Sequence, residues 1–141
     1  MNEIVVDSCV LAKWLFLEPD SHKADALIAE ATVDGTSLIL LDIAPAERTN
    51  VIWKRQRRRD ITGTEARAAL ARLKSLPAEF VVCTSLLAEG LEIAMQYDRS
   101  AYDALFVALM HVRRCRGVTA DEPLYNATHR DYPGLVLLKN L

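Results

Sequence analysis

The feature that most constrains this chain is a set of short apolar runs with no polar residue between them. Ile4-Val5-Val6 is the first, and residues 37–41 and Phe80-Val81-Val82-Cys83 repeat the pattern. A strand with one wet face alternates apolar and polar side chains; an unbroken β-branched run belongs in a strand covered on both faces, as in a parallel sheet. Gly117-Val118-Thr119 and residues 135–138 supply two more candidate strands.

Helical segments fill the intervals. Residues 10–17 and 21–31 suit helices, the second entered by Asp20 or Ser21 as cap. Asp34-Gly35 is turn chemistry before the second strand, and Pro45 opens a helix with Glu47 in its first turn. Thr62 and Glu65 are spaced as a capping box for a helix over 62–76. Further helices are expected over 86–97 and 101–112, with a short one near 123–127. Strands alternating with helices predict an α/β fold: a three-layer sandwich with a central, mainly parallel sheet of about five strands. No repeat, linker or low-complexity tract divides the chain, so residues 1–141 read as one domain.

Composition narrows the class. Hydrophobic residues make up 51%, too many for a disordered chain. The net charge of -2 gives no global attraction to nucleic acid, so any RNA contact must be local. Three widely spaced cysteines, Cys9, Cys83 and Cys115, form no metal-ligand or disulfide pattern and read as small core residues in a reducing compartment. His111 and Cys115 share a helical spacing, but two ligands do not close a zinc site. Glu3 and Asp7 interrupt the first apolar run, so no signal peptide is read. No apolar stretch is long enough to span a bilayer, and a cytoplasmic protein is expected.

The chemistry lies in four carboxylates. In open parallel sheets functional groups gather beyond the carboxyl ends of the strands. Asp7 ends the first strand, Asp121 follows a later one, and Glu47 opens the helix after the second. Asp103 is the only acidic residue of an otherwise apolar helix, where an unpaired buried carboxylate is costly. Taken singly, Asp7 and Asp121 serve equally as helix caps, and Glu47 as a partner of the helix dipole. Brought together they repel: at ~4 Å and an effective dielectric of ~20, each pair costs about 4 kcal/mol. A divalent cation relieves that cost. All-oxygen ligands favour Mg2+ or Mn2+, and the chemistry such a centre suits is phosphodiester hydrolysis.

Val5-Val6-Asp7-Ser8, Glu47-x-x-Asn50, Ser100-x-Tyr102-Asp103-Ala104 and Thr119-Ala120-Asp121 occur in that order. The chain thereby resembles PIN-domain nucleases, most of all the single-domain VapC toxins of toxin–antitoxin pairs, from Ile4 to about Leu138. The resemblance implies a five-stranded parallel sheet and maps Asp7, Glu47, Asp103 and Asp121 onto the family's metal-binding tetrad. It implies cleavage of RNA, often a tRNA or a ribosomal RNA loop, a homodimer, and silencing by a cognate antitoxin. Ser8, Asn50 and Thr119 are candidates for orienting the ligating carboxylates, with local backbone capping the competing role for Ser8 and Thr119.

The stretch 54–59 carries five basic residues in six positions. It suits an RNA backbone track, and equally a solvated helix end whose cations complement the dipole. Arg113, Arg114 and Arg116 carry the same two readings. Aromatic content of 6%, without an interleaved basic pattern, does not indicate base stacking on an open platform.

Rival assignments lack residues. A haloacid-dehalogenase-like phosphatase wants Asp-x-Asp after the first strand, where Cys9 stands; a receiver-like signalling module wants an aspartate ending the third strand, where Cys83-Thr84 stands. No Gly-x-x-x-x-Gly-Lys stretch exists for a P-loop. A PIN nuclease that processes RNA without toxin activity remains an open alternative on sequence.

Overall fold

The computed structural model describes residues 2–141. Five strands form one fully parallel sheet: β1 (Glu3–Val6), β2 (Ser37–Leu41), β3 (Ala78–Val81), β4 (Arg116–Thr119) and β5 (Leu135–Leu137), in the order β3-β2-β1-β4-β5. Seven helices connect them: α1 (Ser8–Leu15), α2 (Ser21–Asp34), α3 (Ala44–Arg57), α4 (Gly63–Lys74), α5 (Leu87–Tyr97), α6 (Ala101–Arg113) and α7 (Glu122–Thr128). The chain builds outward from β1 to β3, then returns through α5 and α6 to place β4 on the other side of β1. That reversal leaves a crevice beyond the carboxyl ends of β1 and β4, where ligands of such sheets bind.

The uninterrupted apolar runs are explained by two cores, one on each face. Along β1 and β2, Val5, Ile39 and Leu41 face the core made with α5 and α6. Val6, Leu38 and Leu40 face the core made with α1, α2 and α4. Successive strand side chains point to opposite faces, so burial on both sides requires apolar residues at every position. Helix α6 is apolar all round because it is enclosed: every residue from Ala104 to Met110 is buried. A helix with no wet face belongs in the interior.

Three expectations need correction. The third strand is Ala78–Val81, two residues earlier than expected. It is an edge strand, with Phe80 and, just beyond it, Val82 exposed, so it is not covered on both faces. The first helix begins at Ser8, not residue 10, because Asp7 caps it. Asp20 precedes α2 in a left-handed conformation without a side-chain cap, and Ser21 instead accepts a hydrogen bond from the Glu18 amide. Among the described residues no helix is long and apolar enough to cross a membrane.

Candidate functional site

All four acidic residues stand at helix amino ends along the rim where the strands terminate. Asp7 is the N-cap of α1 and Asp121 the N-cap of α7. Glu47 and Asp103 lie in the first turns of α3 and α6. Each helix directs the positive end of its dipole toward the rim, which favours negative charge there. Sequence fixes these positions locally: Pro45 is pre-organised for a first turn, and the Ser100 hydroxyl accepts from the Asp103 amide to start α6.

Asp7, Glu47 and Asp103 line one small pocket of about 30 Å³ together with Ser8, Tyr102 and Phe106. Asp121 is outside that lining and joins the group through Asp103, whose carboxyl it destabilises electrostatically. Asp103 is the hub, since its charge also acts on Asp7 and Glu47.

Asp7 is the anchored member. It is 9% exposed, and its Oδ1 accepts from the Ser8 amide at 2.8 Å. Its Oδ2 accepts from the Thr119 hydroxyl at 2.7 Å and from the Cys9 thiol at 3.3 Å. Burial pushes its pKa up to about 6; the Thr119 and Cys9 hydrogen bonds oppose the rise, and the Asp103 charge adds to it. Burial likewise raises the pKa of Glu47, against the nearby Arg48 guanidinium, and that of Asp103, against Arg99. A side-chain hydrogen bond from Ser100 also acts on the Asp103 carboxyl and opposes the rise, whereas no hydrogen bond to the Glu47 carboxylate is found among the described residues.

The expected helper residues separate. Thr119 is fully buried and bridges the site: its hydroxyl donates to Asp7 and accepts from the Asp121 amide at 3.0 Å. Ser8 lines the pocket and contributes its backbone amide. Asn50 is exposed, and among the described residues no hydrogen bond joins it to the carboxylates. Cys9 packs against the core on the α1 side, as expected of a small apolar residue, and in addition reaches the site. It is half-buried, bonds Asp7, and its sulfur accepts from the Ala120 amide at 3.3 Å. Burial, with the Asp7 charge beside it, pushes the thiol pKa up to about 12, so it stays protonated and serves as a donor. Its position in the first turn after a capping aspartate was the available signal.

The PIN-domain family model matches residues 4–129. The chain belongs to the PIN-domain family. Solved structures with the same fold include PAE2754 from Pyrobaculum aerophilum, with a TM-score of 0.73 at 20% identity, covering 99% of this chain and 92% of that one. VapBC2 from Rickettsia felis, bound to a DNA fragment from their promoter, gives 0.68 at 12% identity, with 96% of each chain covered. FitAcB from Neisseria gonorrhoeae gives 0.63 at 15% identity, covering 98% of this chain and 99% of that one. Comparison with curated protein sequences yields no match.

In this PIN domain the donor set suits a hard cation. Every candidate ligand is a carboxylate oxygen; burial, with a smaller addition from neighbouring carboxylates, raises these groups toward protonation, and a divalent ion would offset both. Among the described residues, no three carboxylate, imidazole or thiol groups converge tightly enough to grip one ion as they stand. An ion in this pocket would be held by Asp7, Glu47 and Asp103, with Asp7 the member fixed most firmly by hydrogen bonds.

Proposed function

We propose that this protein is an Mg2+- or Mn2+-dependent endoribonuclease, one domain over residues 1–141, acting in the cytoplasm as the toxin of a toxin–antitoxin pair. The observation that carries the reading is the joint lining of one pocket by Asp7, Glu47 and Asp103, with Asp121 acting on Asp103 beside it. A bound divalent ion supplies a water of lowered pKa and charge stabilisation for the leaving oxygen. The protein's part is positional. Thr119 and Cys9 hold Asp7 in place, Asp121 is held by its own backbone contact to Thr119, and Glu47 and Asp103 supply the remaining charge of the pocket.

The expected substrate is tRNA or a ribosomal RNA loop, whose cleavage arrests translation. The expected partners are a cognate antitoxin and a second copy of the chain. The antitoxin reading is supported by neighbours solved as VapBC2 and as a toxin–antitoxin complex from Klebsiella pneumoniae, the latter with a TM-score of 0.58 at 15% identity. For the dimer, α5 offers an exposed apolar stripe of Leu87, Leu91 and Met95, spaced four apart.

The decisive experiment incubates purified protein with total RNA in Mg2+, in Mn2+ and in excess EDTA, beside the Asp103→Asn variant. Cleavage is expected only with metal and only for the unaltered protein. Unchanged cutting in EDTA overturns the metal reading, and an active Asp103→Asn variant removes that residue from the site. Growth arrest on expression, relieved by a neighbouring small reading frame, separates a toxin from an RNA-processing enzyme.

A further inference from the structure

Among the described residues, five of the seventeen lysine and arginine side chains form ion pairs, Lys13 with Glu18 among them. Arg55 pairs with Glu18, Arg72 with Asp25, Arg113 with Glu3 and Glu79, and Lys139 with Glu122. The end of α3 is where unpaired cations cluster most densely along the chain. Lys54, Arg57, Arg58 and Arg59 are exposed, and among the described residues none forms an ion pair. A helix dipole rewards a cation or two in its last turn but gives no reason for four unpaired ones.

Their placement relative to the pocket is specific. Helix α3 starts at the acidic pocket with Glu47 and runs away from it. Lys54 and Arg58 follow Glu47 by seven and eleven residues, so at about 100° per residue they share its helical face to within roughly 20°. At 1.5 Å per residue they stand about 10 and 16 Å further along the axis. Arg57 flanks that line, and its guanidinium lies 5.4 Å over the ring of Trp53, which is 50% exposed. An exposed indole carrying an arginine is a surface on which a nucleobase stacks. This pair supplies the aromatic-basic element that the overall composition did not suggest.

We propose that Lys54, Arg57 and Arg58, with Trp53, form a track that holds the backbone and one base of the RNA strand leading out of the pocket. The proposal rests on the nuclease reading of that pocket and adds where its substrate lies. The overall charge of -2 makes such a local strip necessary, because long-range attraction is absent.

The test compares two triple variants of equal charge change. One carries Lys54→Gln, Arg57→Gln and Arg58→Gln; the other carries Arg114→Gln, Arg116→Gln and Arg130→Gln, where Arg116 starts β4 at the rim opposite the pocket. Thermal melts check that both are folded. Affinity for a labelled, unstructured RNA is measured in EDTA across a salt series, then cleavage of the same RNA is followed in Mn2+. The α3 variant is expected to bind on the order of tenfold more weakly, with its log–log salt slope reduced by about 2, as three single-strand phosphate contacts at ~0.7 each require. Its KM rises by the same factor while kcat is retained. Equal weakening by the far-rim variant overturns the track, as does wild-type affinity in the α3 variant. An α3 variant that keeps its RNA affinity but loses a bound protein overturns it in favour of a protein-docking patch. If wild-type protein binds RNA through these residues yet leaves it intact in Mg2+ and Mn2+, the track stands and the nuclease reading fails.

Discussion

Replacing Asp7 by asparagine should make the metal-free protein more stable while removing its activity. The rise of the Asp7 pKa from 3.8 to about 6 corresponds to ~3 kcal/mol of native-state penalty on the ionised form. The sign follows from proton binding. Because the folded value lies above the unfolded one, the native state is favoured below pH ~4. That advantage drains away as pH climbs through about 6 and is gone at neutrality. Asparagine removes the charge but not the contacts without cost. Both Asp7 oxygens accept hydrogen bonds, so the amide group must face one donor, and losing that bond takes back ~1–2 kcal/mol. Turning the amide toward Thr119 and Cys9, whose oxygen and sulfur accept as well as donate, is the cheaper choice. The net gain is ~1–2 kcal/mol, or about 3–8 °C in Tm for a chain of this size. The assay is urea unfolding of both proteins in EDTA at pH 7.5 and at pH 4, with RNA cleavage followed in parallel. At pH 4 the charge penalty falls to about 0.5 kcal/mol while the hydrogen-bond loss persists, so the variant should become no more stable than the unaltered protein, or slightly less. A variant that is less stable at pH 7.5, or one whose gain is indifferent to pH, refutes the reasoning.

Adding saturating Mn2+ should reverse that ranking, because an ion at a hundred times its Kd stabilises the unaltered protein by ~2.7 kcal/mol and the variant by little; melting curves with and without metal read this directly. Thr119→Val deletes the donor to Asp7 and the acceptor of the Asp121 amide in a fully buried position. It should cost ~1–3 kcal/mol in urea unfolding and weaken metal binding by about 10–100-fold, readable by calorimetry. Gly90→Ala places a Cβ 2.7 Å from Cδ2 and 3.1 Å from Cγ of Leu105, where α5 meets α6. It should destabilise by ~1–2 kcal/mol with metal affinity unchanged, so a stable Gly90→Ala protein would show that the two helices yield easily.

The fold was legible because it depends on periodicity, which is local. The run Ile4-Val5-Val6 and the apolar ring of α6 can only be buried on all sides, and the alternation of such segments leaves few arrangements. Residues 80–83 misled for a physical reason. Phe80, Val81 and Val82 have the β-branched and aromatic character of a strand wherever it sits, and nothing local says that β3 is at the sheet edge. The rim position of Asp7 and Glu47 was legible from strand ends and helix starts, and the fold brings Asp103 to the same pocket. The roles of Cys9 and Asn50 were not legible. Whether a side chain one turn into a helix meets its neighbour depends on its angle, and Asn50 at three residues from Glu47 turns outward to solvent. Cys9 acquires its role from Thr119 and Ala120, which lie more than a hundred positions away.

The central place of β1 sets a timetable for the molecule. Its two neighbours are β2, which emerges soon after it, and β4, whose pairing joins Ile4 to Arg116 and Val6 to Val118. During synthesis Asp7 therefore exists long before the threonine that fixes it, separated by 112 positions. Pairing across such a span forms late, because a long loop must close first. A ribosome making this chain would carry an incomplete acidic pocket until β4 and Thr119 emerge, so the site is assembled by long-range closure rather than as its residues appear.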